Sequence, residues 1–123
     1  ALKAVGESTE KPLEYFANNI GGLVATCQAL QRHAAGGQPL RMVFSSSATV
    51  YGKPEQLPIG EHAALSATNP YGATKYVGEW MLADAERAHG MRTVALRYFN
   101  VAGAGWPELA DTAVMSVISA QLK

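Results

Sequence analysis

Apolar residues recur at helical spacing from Pro12 to about His33, at Leu13, Phe16, Ile20, Leu23, Val24, Cys27 and Leu30, and predict one amphipathic helix there. Gly21 and Gly22 fall in its middle, where each costs about 1 kcal/mol relative to alanine, so close approach by another backbone is the expected compensation. Gly36-Gly37 ends the element. Arg41-Met-Val-Phe-Ser-Ser46 is a short apolar run closing on hydroxyl residues, the pattern of a buried strand whose C-terminal end opens into a site. A loop containing Gly52, Pro54, Pro58 and Gly60 follows, and Pro70 stands where a helix would begin. From Tyr71 to His89 the residues Tyr71, Lys75, Val77, Gly78, Trp80, Met81, Leu82 and Ala85 fit a helix that Gly90 terminates. Arg92 to Tyr98 reads as the next strand, and a glycine-rich turn leads to a last helix from about Asp111.

Helix, strand, helix, strand, helix with apolar strands predicts an α/β fold built as part of a doubly wound parallel sheet. Ligands of such sheets lie at the carboxyl ends of the strands, here Ser45-Ser46-Ser47 and Tyr98-Phe99-Asn100. The chemistry is therefore sought at those two ends.

Composition narrows the class without naming a reaction. The chain has 123 residues, with 10 basic and 10 acidic side chains, which gives no electrostatic reason to expect nucleic acid. At 48% hydrophobic and 16% charged it has material for a core, and no apolar run approaches the roughly eighteen residues of a membrane span. The single Cys27 cannot form an internal disulfide and falls on the apolar stripe of its helix, so it reads as core. The chain opens without the order of a signal peptide, and a cytoplasmic protein is the expectation. His33, His62 and His89 are widely separated and lack partners at ligand spacing, so no metal is expected.

Tyr71-Gly-Ala-Thr-Lys75 places a phenol and an ammonium four residues apart, on one helix face and within reach of one another. A phenol with an ordinary pKa near 10 is a poor base at neutral pH, but a nearby cation favours its phenolate. Such a phenolate, beside an oxidised nicotinamide, can remove a hydroxyl proton while hydride leaves the same carbon. Taken alone, the spacing also describes ordinary helix surface, since short motifs recur by chance.

The context is more specific. Val43-Phe-Ser-Ser-Ser-Ala-Thr-Val-Tyr-Gly52, Asn69-Pro-Tyr-Gly-Ala-Thr-Lys75 and Leu96-Arg-Tyr-Phe-Asn100 closely resemble the UDP-glucose 4-epimerases, in the extended short-chain dehydrogenase/reductase family. Lys3-Ala-Val-Gly-Glu-Ser8, Lys11-Pro-Leu-Glu-Tyr15 and Asn18-Asn19 resemble the preceding part of that family, so the likeness runs up to Gly105. The resemblance implies a Rossmann-like domain, NAD as cofactor and a UDP-hexose as substrate. It implies Tyr71 as the base and acid at the sugar 4-hydroxyl, Lys75 as its partner and a ligand of the cofactor ribose, and Ser47 as a hydrogen-bond partner of the reacting oxygen. Phe99 would line the nicotinamide site, Lys3 and Asn18 would lie against the cofactor, and Asn100 would contact the phosphate region of the nucleotide sugar, with Thr49 as a further substrate contact. Ser47 also reads as a strand-end cap, and Lys3 as an ordinary solvated charge. The implied reaction is transient oxidation at C4, rotation of the 4-keto sugar and return of hydride to its other face, as used in galactose metabolism. Sugar 4,6-dehydratases of the family carry an Asp-Glu pair near Ala48 and Thr49, and no carboxylate occurs between Ser45 and Tyr51, which favours epimerisation.

Residues 1–123 are expected to be the central part of the NAD-binding domain, without the N-terminal glycine-rich turn and the C-terminal substrate-binding portion. Gly103-Ala-Gly-Trp-Pro-Glu108 is no substitute, because Pro107 interrupts it and Glu108 replaces the third small residue, so it reads as a loop. The 123 residues by themselves are therefore expected to show little or no epimerase activity. In the family, the helices holding Leu13 to Leu30 and Tyr71 to Arg87 pair with their copies, which implies a homodimer; Trp80 and Met81 read as packing residues. Two alternatives remain open: a related UDP-glucuronate or UDP-N-acetylhexosamine epimerase, and a protein that binds NAD or a nucleotide sugar without turnover.

Overall fold

The computed structural model describes residues 1–34 and 40–100. The predicted helix end at Gly36-Gly37, the Gly103 to Glu108 loop and the predicted helix from about Asp111 lie outside those residues. Two short helices open the chain, α1 at Val5–Glu10 and α2 at Pro12–Phe16. A π-helical turn, Ala17–Gly21, joins α2 to α3, Gly22–Ala34. Strand β1 spans Arg41–Ser47, a 3₁₀ turn covers Ala48–Tyr51, α4 runs from Pro70 to His89 and β2 spans Arg92–Tyr98.

The single amphipathic helix predicted from Pro12 is thus one helical path carrying a π-turn, and its buried side keeps only part of the stripe that the apolar residues suggest, with Leu23 and Cys27 buried and Ile20 and Leu30 half-buried. Tyr15, Asn19, Leu23 and Cys27 are buried, whereas Leu13, Phe16 and Val24 are exposed. The buried four are spaced by four residues, which on an ideal helix drifts by about 40° per step. The wider π-turn, centred between Tyr15 and Leu23, absorbs part of that drift. Gly21 and Gly22 do not receive the close backbone expected of them: a Cβ at either would meet open space among the described residues. The close approach occurs at Gly78 of α4, where a Cβ would lie 2.8 Å from Phe44 of β1 and 3.1 Å from Leu23 of α3.

Helix α4 forms where local chemistry directs it. Asn69 caps it by accepting the Gly72 N–H at 2.8 Å, Pro70 occupies its first turn, and Gly90 closes it in the left-handed conformation. Strands β1 and β2 pair in parallel, from Arg41 opposite Arg92 to Ser47 opposite Tyr98. One face of the pair packs on α3 and α4 through a core of Leu23, Cys27, Leu82 and Met91, with Met42, Phe44 and Met81 against it. The other face is uncovered among the described residues, with Val43 68% and Val94 55% exposed, so these residues supply only one face of the burial that the apolar run of β1 predicts. Trp80, read as a packing residue, is 62% exposed.

Candidate active site

Parallel pairing in register brings both strand ends to one edge, and the segments leaving them diverge around a hollow. A cavity of about 640 Å³ opens there, lined by Lys3, Ser47, Thr49, Tyr71, Phe99 and Asn100 among others. Six of the eight residues predicted for the site therefore converge, from four separate stretches of chain. Its size is that of a small-molecule site.

Tyr71 enters from the first turn of α4, and Gly72 lets that turn sit close to the 3₁₀ turn: a Cβ there would stand 2.9 Å from the Thr49 carbonyl oxygen. Lys75, one turn further on, is 6% exposed and does not line the cavity. Its Nζ donates to the Ser45 carbonyl at 2.8 Å and lies 5.7 Å from the Tyr71 ring centroid and 5.1 Å from that of Phe44. Burial pushes the Lys75 ammonium below its ordinary range. The pair expected from four-residue spacing is thus a pair in space, with the cation anchored to the strand end.

Ser47 is the cap that its position at the strand end suggested, and it also lines the cavity. Its Oγ accepts the Thr49 N–H at 3.2 Å, capping the 3₁₀ turn, and accepts the Thr49 hydroxyl at 2.9 Å. With its acceptor side engaged, the Ser47 proton is the group left to donate into the cavity beside Tyr71. Phe99 is 65% exposed and offers a ring face at the rim. Asn18 is exposed in the π-turn and does not line this cavity.

Two sets of buried polar residues went unread in the sequence. Asn19, beside Asn18, accepts the Leu2 N–H at 2.8 Å, donates to the Leu2 carbonyl at 3.0 Å and donates to Thr74 Oγ1 at 3.1 Å. Thr74 in turn donates to the Tyr71 carbonyl at 2.7 Å, so one amide joins the segment carrying Lys3 to α4. Glu79 binds Arg97 through both carboxylate oxygens, at 2.7 to 3.1 Å, and accepts from the Ser46 hydroxyl. The bonds to Glu79 raise the Arg97 guanidinium above its ordinary value, outweighing desolvation. The available signal was spacing, since Glu79 continues the row Tyr71, Lys75 by four more residues.

Residues 1–123 match the model of the NAD dependent epimerase/dehydratase family. A UDP-glucose 4-epimerase of Streptomyces lividans is 47% identical over 104 residues, 85% of this chain and 30% of the relative. The UDP-glucose 4-epimerase of Brucella ovis, solved in complex with NAD, superposes with a TM-score of 0.79 at 47% identity, covering 85% of this chain and 31% of that one. A UDP-N-acetylglucosamine 4-epimerase from Methanobrevibacter ruminantium M1 gives a TM-score of 0.81 at 33% identity, over 99% of this chain and 39% of that one. The chain thus spans about a third of the length of these relatives. Those structures have the Rossmann fold, and the parallel pair with its crossover helix is part of the same doubly wound α/β sheet. With a match over its whole length, the chain belongs to the NAD dependent epimerase/dehydratase family.

Proposed function

We propose that the protein interconverts UDP-glucose and UDP-galactose by transient oxidation at C4 of the hexose, with NAD as cofactor. The observation that carries this reading is the convergence of Tyr71, Ser47, Thr49, Phe99 and Asn100 on one cavity, with the Lys75 ammonium 5.7 Å from the Tyr71 ring. The cavity suits NAD: it joins an exposed aromatic face, Phe99, to a phenol, a serine hydroxyl and the Lys3 segment at the strand ends where this sheet class binds nucleotides. Lys3, Phe99, Tyr71 and Ser47, which line the cavity, would hold it, together with Lys75 and Asn18, which stand outside the lining. Bound there, NAD supplies the acceptor for the C4 hydride and afterwards its donor.

The chain's own residues handle the proton. Tyr71, with the Lys75 ammonium 5.7 Å from its ring, takes the proton of the 4-hydroxyl while the C–H bond breaks, and returns it when hydride comes back to the other face. Ser47 donates to the same oxygen and holds it against the phenol. Asn100 and Thr49 bind the nucleotide sugar at the rim, Asn100 towards its phosphates. The family likeness supports the same assignment, since relatives 47% identical are UDP-glucose 4-epimerases.

The N-acetylhexosamine relative favours a second substrate reading, UDP-N-acetylglucosamine, for the same C4 chemistry. We also propose a cytoplasmic homodimer: α2 and α3 with their π-turn keep Leu13, Phe16 and Val24 exposed, and α4 keeps Tyr76 and Trp80 exposed, on the helices that the family pairs. The deciding experiment is Tyr71→Phe in the full-length protein, with UDP-galactose and UDP-N-acetylgalactosamine assayed side by side. Turnover is expected to fall by about 10²- to 10⁴-fold while NAD stays bound, the range of a lost general acid–base group. Unchanged turnover, or a wild-type protein that converts neither sugar while retaining NAD, overturns the catalytic reading in favour of a binding protein.

A further inference from the structure

Helix α4 meets the two strand ends through a row of polar side chains on one face. Lys75 donates to the Ser45 carbonyl at 2.8 Å. Four residues on, Glu79 accepts the Ser46 hydroxyl and takes three hydrogen bonds from Arg97, Nε to both oxygens at 3.1 Å and Nη2 to Oε2 at 2.7 Å. Arg97 Nη1 donates onward to the Tyr51 phenol oxygen at 2.8 Å and the Glu61 carbonyl at 3.0 Å, and its guanidinium carbon lies 5.0 Å from the Tyr51 ring centroid. Both ion-pair side chains are largely buried, at 24% and 10% exposure.

Ser46, Tyr51 and Arg97 each lie within two residues of a residue of the site, and Glu79 lies one turn of α4 beyond Lys75. Ser46 precedes Ser47, Tyr51 ends the 3₁₀ turn bearing Thr49, and Arg97 comes two residues before Phe99. We infer that the Glu79–Arg97 pair is a positioning device for catalysis, seating α4 on both strand ends so that Tyr71, Ser47 and Phe99 keep one geometry. Neither side chain lines the cavity, so the pair acts through its neighbours. A displacement of about 1 Å at a reacting centre costs on the order of 10²-fold in rate, so a paired, hydrogen-bonded charge at this junction is where such displacement is prevented. The fork of Arg97 matches the carboxylate in a way that a lysine would not, which makes the geometry directional.

The inference rests on the epimerase reading, and the test separates the two. In the full-length protein, Glu79→Gln keeps an acceptor for Ser46 but removes the charge that Arg97 grips, and Met91→Ala, in the core at the far end of β2, serves as a stability-matched control. The expected result is a fall in kcat of about 10- to 100-fold in Glu79→Gln with KM and NAD content changed less than about threefold, and kcat held in Met91→Ala. The variants Glu79→Ala, Arg97→Ala and their double should show a double no worse than the poorer single. An active parent whose Glu79→Gln variant keeps its kcat, or loses it only in step with the control, overturns the positioning role. A parent inactive on both sugars removes the reaction itself and the role with it. Should Glu79→Gln not fold, Ser46→Ala deletes one hydroxyl at the same junction: a kcat loss above threefold supports the inference, and an unchanged kcat overturns it.

Discussion

Lys75 holds its charge where solvent cannot support it. At 6% exposure its ammonium is pushed below the ordinary lysine range by burial, with the Ser45 carbonyl as hydrogen-bond acceptor. A lysine value depressed on folding means that the unfolded chain holds this proton more tightly. The contribution of Lys75 to stability is therefore most favourable above the ordinary lysine range and is lost as pH falls through the lowered value. Under the proposed role, function and stability oppose each other at this residue, a trade-off expected of catalytic groups. Replacing Lys75 with Met in the full-length protein should lower kcat by about 100-fold or more, while the thermal midpoint at pH 7 stays at or above the parent's. The gap between the two midpoints should narrow as pH rises towards 10, and calorimetry at the two pH values checks both the size and the sign. At this scale Tyr71 and Lys75 were legible, because helix geometry alone puts residues four apart on one face. Asn19 and Arg97 were not, because their partners, Thr74 and Glu79, stand 55 and 18 residues away in sequence.

Among the elements, α4 was the most legible, since its limits are set by local chemistry: an Asn69 cap, Pro70 in the first turn and Gly90 past the end. The strands were legible for a similar reason, as apolar runs bounded by turn residues. The helical path from Pro12 was harder to read, because two stripes of side chains compete for burial and periodicity does not choose between them. Tyr15 wins over Leu13 and Phe16 because its ring is fully buried while its hydroxyl stays within hydrogen-bond distance of two acceptors, the Ala4 carbonyl at 2.9 Å and the Glu7 carboxylate at 2.8 Å. Glycine roles were equally a matter of contact. Gly78 is required where α4 crosses Phe44 and Leu23, and a valine there would gain helix propensity over glycine yet place its Cβ 2.8 Å from a ring carbon. Overpacking prevails over that gain, so Gly78→Val should lose about 1–3 kcal/mol of stability in chemical denaturation of the full-length protein. A variant as stable as the parent would show that Phe44 moves aside freely.

For the molecule as a whole, the uncovered surfaces say what the described residues do not complete by themselves. Parallel sheets occur with both faces covered, yet Val43 and Val94 stand exposed, so their face takes its covering from beyond residues 1–34 and 40–100. The exposed helix residues have a different expected covering, a second copy. Full-length protein should sediment as a dimer at micromolar concentration, and Trp80→Glu should shift it to monomer, since a charge in an apolar interface is strongly unfavourable. A monomeric parent rejects the dimer. Among the described residues no helix is long and apolar enough to cross a membrane. The sequence by itself determined the order helix, strand, helix, strand from Pro12 to Tyr98, the α4 boundaries and the proximity of Tyr71 and Lys75, because these depend on interactions a few residues long. Only the tertiary structure decided which helix stripe is buried, where backbone or side chains crowd a glycine, and that Ser46, Glu79, Arg97 and Tyr51 form one network. Those outcomes depend on contacts between segments far apart in the chain, whose energies are set by shape and desolvation once the segments meet.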